Sequence, residues 1–284
     1  MPAQPSDPGD RPAHDAAEEP PALLGTWARV LAVFAAAVLL WLFVFYGTPL
    51  GHDYDRPTHV ARAVLTAVLV VPAVVLARRL LDRRPWHGLG LPLSRTAARR
   101  FLLGAVCWLL PATAGFALCL GTGRVEVTRT EPVAEVAGVA AMLVVLVFLY
   151  EALPEELVFR GYVQRNLLTA LPAGRAVVVQ AVLFTLFGLL VGVAGSPFRL
   201  ALFLTFGMLL GVFRTVTGDI WAGIGFHVAY QCAAQLFLGE GAVFEVSGEG
   251  TFGLLALGGL PFLAAWTYLA RRRERGAGGV APAG

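Results

Sequence analysis

The chain carries little charge for its length. Of 284 residues only 14% are Asp, Glu, Lys or Arg, while 57% are apolar, against about 25% charged in ordinary soluble domains. So few charges cannot cover a solvent-facing surface, which excludes a soluble enzyme. The same composition excludes disorder, except at the chain ends. Lysine is missing: all 22 basic residues are arginine, a bias that fits genome composition. The arginines lie between apolar runs instead of forming one patch, so the net charge of +3 does not point to nucleic acid. Cysteine is scarce. Cys107, Cys119 and Cys232 all fall inside apolar runs, and the odd count leaves one unpaired. Cys107 and Cys119 lie too far apart along one helix to bridge.

What is abundant is long apolar runs. A bilayer core about 30 Å thick needs about 20 apolar residues per helix. Candidate spans cover 27–46, 63–77, 101–120, 136–159, 176–194, 200–213, 220–238 and 252–270, the sixth short and the fourth interrupted by polar residues. The expected fold is all-α, a polytopic membrane bundle of about eight transmembrane helices. The expected organisation is a disordered cytoplasmic tail over 1–26 and N-terminal transmembrane helices over 27–134. A helical core follows over 135–240, then the last transmembrane helix over 241–270 and a cytoplasmic tail over 271–284. Rich in Pro, Asp, Glu and Ala, the first segment lacks an apolar run able to fold. The first apolar run starts too late for a signal peptide and is expected to stay as an anchor.

Arginine placement orients the bundle. Arg78, Arg79, Arg83, Arg84, Arg95, Arg99 and Arg100 crowd between spans two and three, which marks that side as cytoplasmic. Alternation puts both termini in the cytoplasm, with Arg271, Arg272, Arg273 and Arg275. Arg56, Arg62, Arg124, Arg129 and Arg199 fall outside, with Glu240, Glu245 and Glu249. The expected location is the cell membrane, crossed many times.

Ionisable residues within spans are costly and mark function by default. Span four holds Glu151, Glu155, Glu156 and Arg160; span seven holds His227 and Gln231. Glu156 and Arg160 are i,i+4 and can pair on one face. Glu155 points about 100° away, free to face a cavity as a general base. The charged set also suits an interface with Arg160 snorkelling, and a lone buried His suits packing. His227 reads as the sole histidine in any span, with His14, His52, His59 and His87 in loops or the tail. Protease types narrow the choice. No HExxH occurs, and Ser6, Ser94, Ser196 and Ser247 lie outside the spans. No pair of intramembrane aspartates occurs either, since Asp219 stands at an edge. Only a glutamate type survives.

Glu155-Glu156-Leu157-Val158-Phe159-Arg160-Gly161-Tyr162 is similar to the EExxxR motif of the CPBP family, the ABI or CAAX-processing intramembrane proteases. The stretch GMLLGVFRTVTGDIWAGIGFHVAYQ, ending at Gln231, resembles that family's third motif, and the likeness covers about 135–240. The resemblance implies catalytic Glu155, Glu156, Arg160 and His227, supported by Gln231 and Phe184. Glu155 would activate water with His227, while Glu156 and Arg160 hold the geometry. It also implies a divalent metal, zinc favoured, on Glu155 and His227. The expected reaction is hydrolysis of a membrane-associated protein or peptide substrate near the cytoplasmic face, within the lipid bilayer and without nucleic acid. Two departures stand out. The family's FxxxH becomes Phe184 to Gly188, and the final Asn or Asp becomes Gln231. Gly188 and Gly192 form a GxxxG suited to close helix contact. A non-cleaving relative that binds a membrane partner is the alternative, with a proton-coupled carrier behind it.

Overall fold

The computed structural model describes residues 22, 24–50 and 55–278. The tail expected over 1–26 lies almost wholly outside the described residues, as does the end of the one expected over 271–284. Eight long helices follow in order among the described residues. They are α1 (Thr26–Tyr46), α2 (Arg56–Leu80), α3 (Arg95–Gly121), α4 (Val133–Leu167), α5 (Ala173–Leu190), α6 (Pro197–Thr217), α7 (Trp221–Leu238) and α8 (Glu249–Arg275). All but α7 are long and apolar enough to cross a membrane. His227, Gln231 and Gln235 dilute the apolar character of α7, and its first two turns are buried from Ala222 to Val228. The architecture is the expected all-α polytopic bundle. A small antiparallel ribbon, β1 (Glu126–Arg129) with β2 (Phe244–Ser247), joins the loops after α3 and α7.

Three expectations need correcting. Span six is not short: α6 runs 21 residues. The Ser196 hydroxyl accepts the Arg199 N–H at 3.2 Å, and Gly218 ends the helix at φ 82°. Its polar first and last turns hid its length. The second correction concerns His59, which lies inside α2 and is buried, so His227 is not the sole histidine in a span. The Asp55 carboxylate accepts the Thr58 N–H at 2.8 Å and Pro57 occupies the first turn, which starts α2 well before its apolar run. The third concerns Gly188 and Gly192, which do not share a helix face. α5 ends at Leu190, and Gly192 takes a left-handed φ of 86° in the following turn.

Helix α3 lies along α7 in the middle of the bundle. A Cβ on Gly104 would stand 1.9 Å from the Ala222 carbonyl oxygen, and one on Gly225 would stand 1.9 Å from that of Phe101. Missing side chains therefore let two backbones touch, the way helices associate where lipid removes the hydrophobic drive. α7 is thereby held centrally, with α4 against its other side.

A buried polar node ties the ends of three helices. Asp82, just past α2, accepts from Arg29 of α1 at 2.5 Å and Arg78 of α2 at 2.7 Å. Tyr162 and Asn166 of α4 also donate to it, at 3.0 and 3.3 Å. Burial alone would raise the Asp82 pKa, but these four bonds together outweigh it and hold the carboxyl below its usual range.

Candidate active site

The chemistry sits where α4 departs from regular geometry. Helix α4 widens into π turns at Phe148–Ala152 and Leu157–Val163, on either side of one α turn, Leu153–Glu156. Pro154 lies in that turn and has no N–H to donate, so the ladder must re-form around it. The Leu153 N–H bonds to the Phe148 carbonyl, five residues back. Such π segments are frequent at functional sites because they re-aim side chains.

Glu155 and Glu156 stand in this stretch with opposite surroundings. The Glu156 side chain is fully buried, whereas that of Glu155 keeps 12% exposure. Glu156 Oε1 accepts from Arg160 Nη1 at 2.9 Å and lies 3.3 Å from His227 Nδ1. With Glu156 as a carboxylate, which only accepts, this contact assigns the proton to His227 Nδ1. The Nε2 lone pair of His227 then faces Glu155, whose Oε2 is 3.9 Å away, a separation that one water can bridge. Gly223 makes room for Glu156: a Cβ there would come within 2.8 Å of Oε2. Glu156 Oε2 has no hydrogen-bond partner within the protein.

Arg160 is held through both terminal nitrogens. It is fully buried, with Nη2 donating to the Gly207 carbonyl at 3.3 Å and the guanidinium 4.5 Å from the centre of the Phe184 ring. A snorkelling Arg160 is therefore excluded. Glu155, Glu156, Arg160, His227 and Phe184 come together. Gln231 lies one turn from His227 and reaches Glu151 instead. Sequence reasoning missed Gln235, whose amide donates to Glu151 Oε1 at 2.8 Å. It also missed Gln164 and Gln180, both fully buried, which donate to the Gly211 and Gly207 carbonyls of α6 at 2.9 and 2.7 Å. The available signal was an amide inside an apolar run, one turn after Arg160 in the case of Gln164.

Position 188 is not an empty ligand place. A Cβ on Gly188 would meet the Phe203 ring at 2.5 Å, and that ring stacks on Phe184 with centroids 5.2 Å apart. Catalytic zinc takes three protein ligands. Here Glu156 Oε1 is engaged by Arg160 and His227 Nδ1 and its Oε2 lies against Gly223, leaving Glu155 and His227 Nε2 as two convergent donors. Among the described residues no cluster of three His, Cys, Asp or Glu side chains can hold an ion. Zinc does not fit this donor set.

No curated protein matches the chain. Residues 137–233, from the first turns of α4 into the last turns of α7, match the family described as type II CAAX prenyl endopeptidase Rce1-like. This segment is similar to the CPBP family of CAAX-processing intramembrane proteases, and with seven helices among the described residues long and apolar enough to cross a membrane the chain is a multi-pass membrane protein.

Proposed function

We propose that the chain is an intramembrane endopeptidase that hydrolyses a peptide bond of a membrane-associated protein or peptide, using water activated by Glu155. The carrying observation is the division between two adjacent glutamates. Glu156 is sealed and paired with Arg160, while Glu155 keeps partial exposure opposite the Nε2 nitrogen of His227. Water held between Glu155 and His227 Nε2 loses a proton to Glu155 as its oxygen attacks the carbonyl carbon. The tetrahedral intermediate then collapses, and Glu155 returns the proton to the departing amine, leaving a carboxylic acid and an amine. Glu156 fixes the His227 tautomer through Nδ1, as the orienting acid of a triad does.

The test is fragment release, read by mass spectrometry, from lipid-anchored peptides in proteoliposomes containing the purified protein. Glu155→Gln is expected to slow release by about 10²–10⁴-fold, the usual worth of a general base. Chelation with EDTA is expected to leave the rate unchanged. Equal release by wild type and Glu155→Ala would refute the hydrolytic reading. Gly188 favours a second reading, a non-cleaving member that binds a membrane partner. Partner capture retained by a Glu155→Ala, His227→Ala double variant, with no cleavage by wild type, would select it.

A further inference from the structure

We propose that the arginines gathered around the turn between α2 and α3 form a binding site for a phosphate group, free or carried by a lipid headgroup. The site stands apart from the hydrolytic reading of Glu155. A short 3-10 turn, Trp86–Leu89, ends at Gly90, which takes a left-handed φ of 87°. It is locked into the bundle: the Gly90 carbonyl accepts the Ile220 N–H at 3.1 Å, and Leu89 is buried. Four helices each send one arginine to this corner: Arg78 from α2, Arg100 from α3, Arg165 from α4 and Arg214 from α6. A Cβ on Gly88 would stand 2.9 Å from Arg78 Nη2 and 3.2 Å from Arg165 Nη2, so two guanidinium groups converge on one point. A Cβ on Gly90 would stand 3.2 Å from Arg214 Cζ. The two glycines leave the room that these guanidinium groups fill. Arg214 in turn feels the charges of Arg165 and Arg100.

Carboxylates do not balance this corner. Asp82 is shared by Arg29 and Arg78, while Asp219 pairs with Arg100 and accepts the Trp221 N–H at 3.2 Å. Among the described residues neither Arg165 nor Arg214 makes an ion pair. Arg214 donates through Nη1 to the Gly218 carbonyl, and its Nε is buried without a partner. Arginines that only orient a bundle can stand in water. These two instead belong to the last turns of spanning helices, half-buried and turned against a backbone turn. Like charges held together are unfavourable until an anion joins them, and guanidinium forks match phosphate oxygens in paired hydrogen bonds. Arg78 meets Asp82 through Nη1 and keeps Nη2 beside Gly88. One phosphate therefore links α6 to α2 and α4, a connection that neither carboxylate makes. The level suits a headgroup. Trp86, in the turn itself, is 42% exposed, and the Trp221 indole N–H reaches the Pro92 carbonyl at 2.9 Å, as tryptophans at a membrane–water interface do. Basic pockets between spanning helices are where lipid phosphates are held.

Native mass spectrometry and thermal unfolding of the detergent-purified full chain test the site. The probes are phosphatidic acid in micelles, against phosphatidylcholine, whose phosphate is neutralised by its choline, and inorganic phosphate, against chloride at equal ionic strength. Phosphatidic acid is expected to stay bound and to raise the unfolding temperature, while phosphatidylcholine does neither. The Arg165→Gln, Arg214→Gln double variant is expected to weaken that binding about tenfold or more, because each arginine beside an anionic headgroup contributes to it. Arg271→Gln, which removes an exposed charge of α8 instead, should leave it unchanged. An equal rise with inorganic phosphate assigns the site to free phosphate, and a rise with the lipid alone assigns it to a headgroup. Equal weakening by Arg271→Gln, or no preference for either phosphate over its control, overturns the site. Binding of a polyglutamate peptide in place of both phosphates also overturns it and gives the cluster to an acidic protein segment. If the double variant fails to fold, phenylglyoxal modification of the wild type, mapped by peptide mass spectrometry, replaces it. Phosphatidic acid or phosphate should then slow modification of Arg165 and Arg214 but not of Arg271, and unchanged rates at all three overturn the proposal. No readout needs cleavage, so failure of the site leaves the protease reading standing, and failure of that reading leaves the site.

Discussion

At the scale of single residues, neighbouring carboxylates are assigned different work by what surrounds them. Removing one partner of a fully buried pair leaves an uncompensated charge, which costs about 3–5 kcal/mol. Arg160→Met, which strands Glu156, is expected to lower stability by that amount in thermal unfolding of detergent-purified protein. Glu155→Gln should leave the unfolding temperature near wild type while removing cleavage, because Glu155 makes no buried pair of that kind. Gly188→His cannot simply restore a ligand. Its Cβ meets Phe203, and overpacking of this sort costs about 1–3 kcal/mol. Phe203→Ala in the same chain should recover most of the loss, and Gly188→His alone should gain no hydrolysis. The Glu156–Arg160 pair was legible because both residues lie one turn apart on one helix. Gln235 was not, since its partner Glu151 is distant in sequence and meets it only when α4 packs on α7.

At the scale of elements, the glycines divide by what lies opposite them. Gly225 faces the backbone of α3, which cannot yield as a side chain can. Gly225→Val is therefore expected to cost about 3 kcal/mol or more, seen as a lowered unfolding temperature or loss of folded yield. Gly138, in α4, has open space where a Cβ would stand, with nothing within 4 Å. Gly138→Ala should instead gain about 0.5–1 kcal/mol from helix propensity alone. Helix positions were readable because length and apolarity are local properties. Helix ends were not: α2 and α6 both begin at capping residues with polar first turns, and composition cannot distinguish such turns from loops.

At the scale of the whole molecule, Asp82 joins α1, α2 and α4. Its folded pKa lies below the unfolded value of about 3.9. A depressed carboxyl contributes stability that is fully present above the unfolded pKa and is lost as pH falls through the folded one. Unfolding temperature should accordingly drop as pH is lowered below about 4, and Asp82→Asn should be less stable at neutral pH with a shallower acid limb. A parallel acid limb in the variant would remove Asp82 from this role. By themselves the residues determined that the chain crosses a membrane many times and that Glu155, Glu156, Arg160 and His227 lie on two of its helices, because hydropathy and i,i+4 spacing are properties of short segments. Only the tertiary structure decided which glutamate is sealed and that Phe203 fills the place beside Gly188. Each depends on contacts between residues far apart in sequence, and those exist only once the backbones of α3, α4 and α7 have closed on one another.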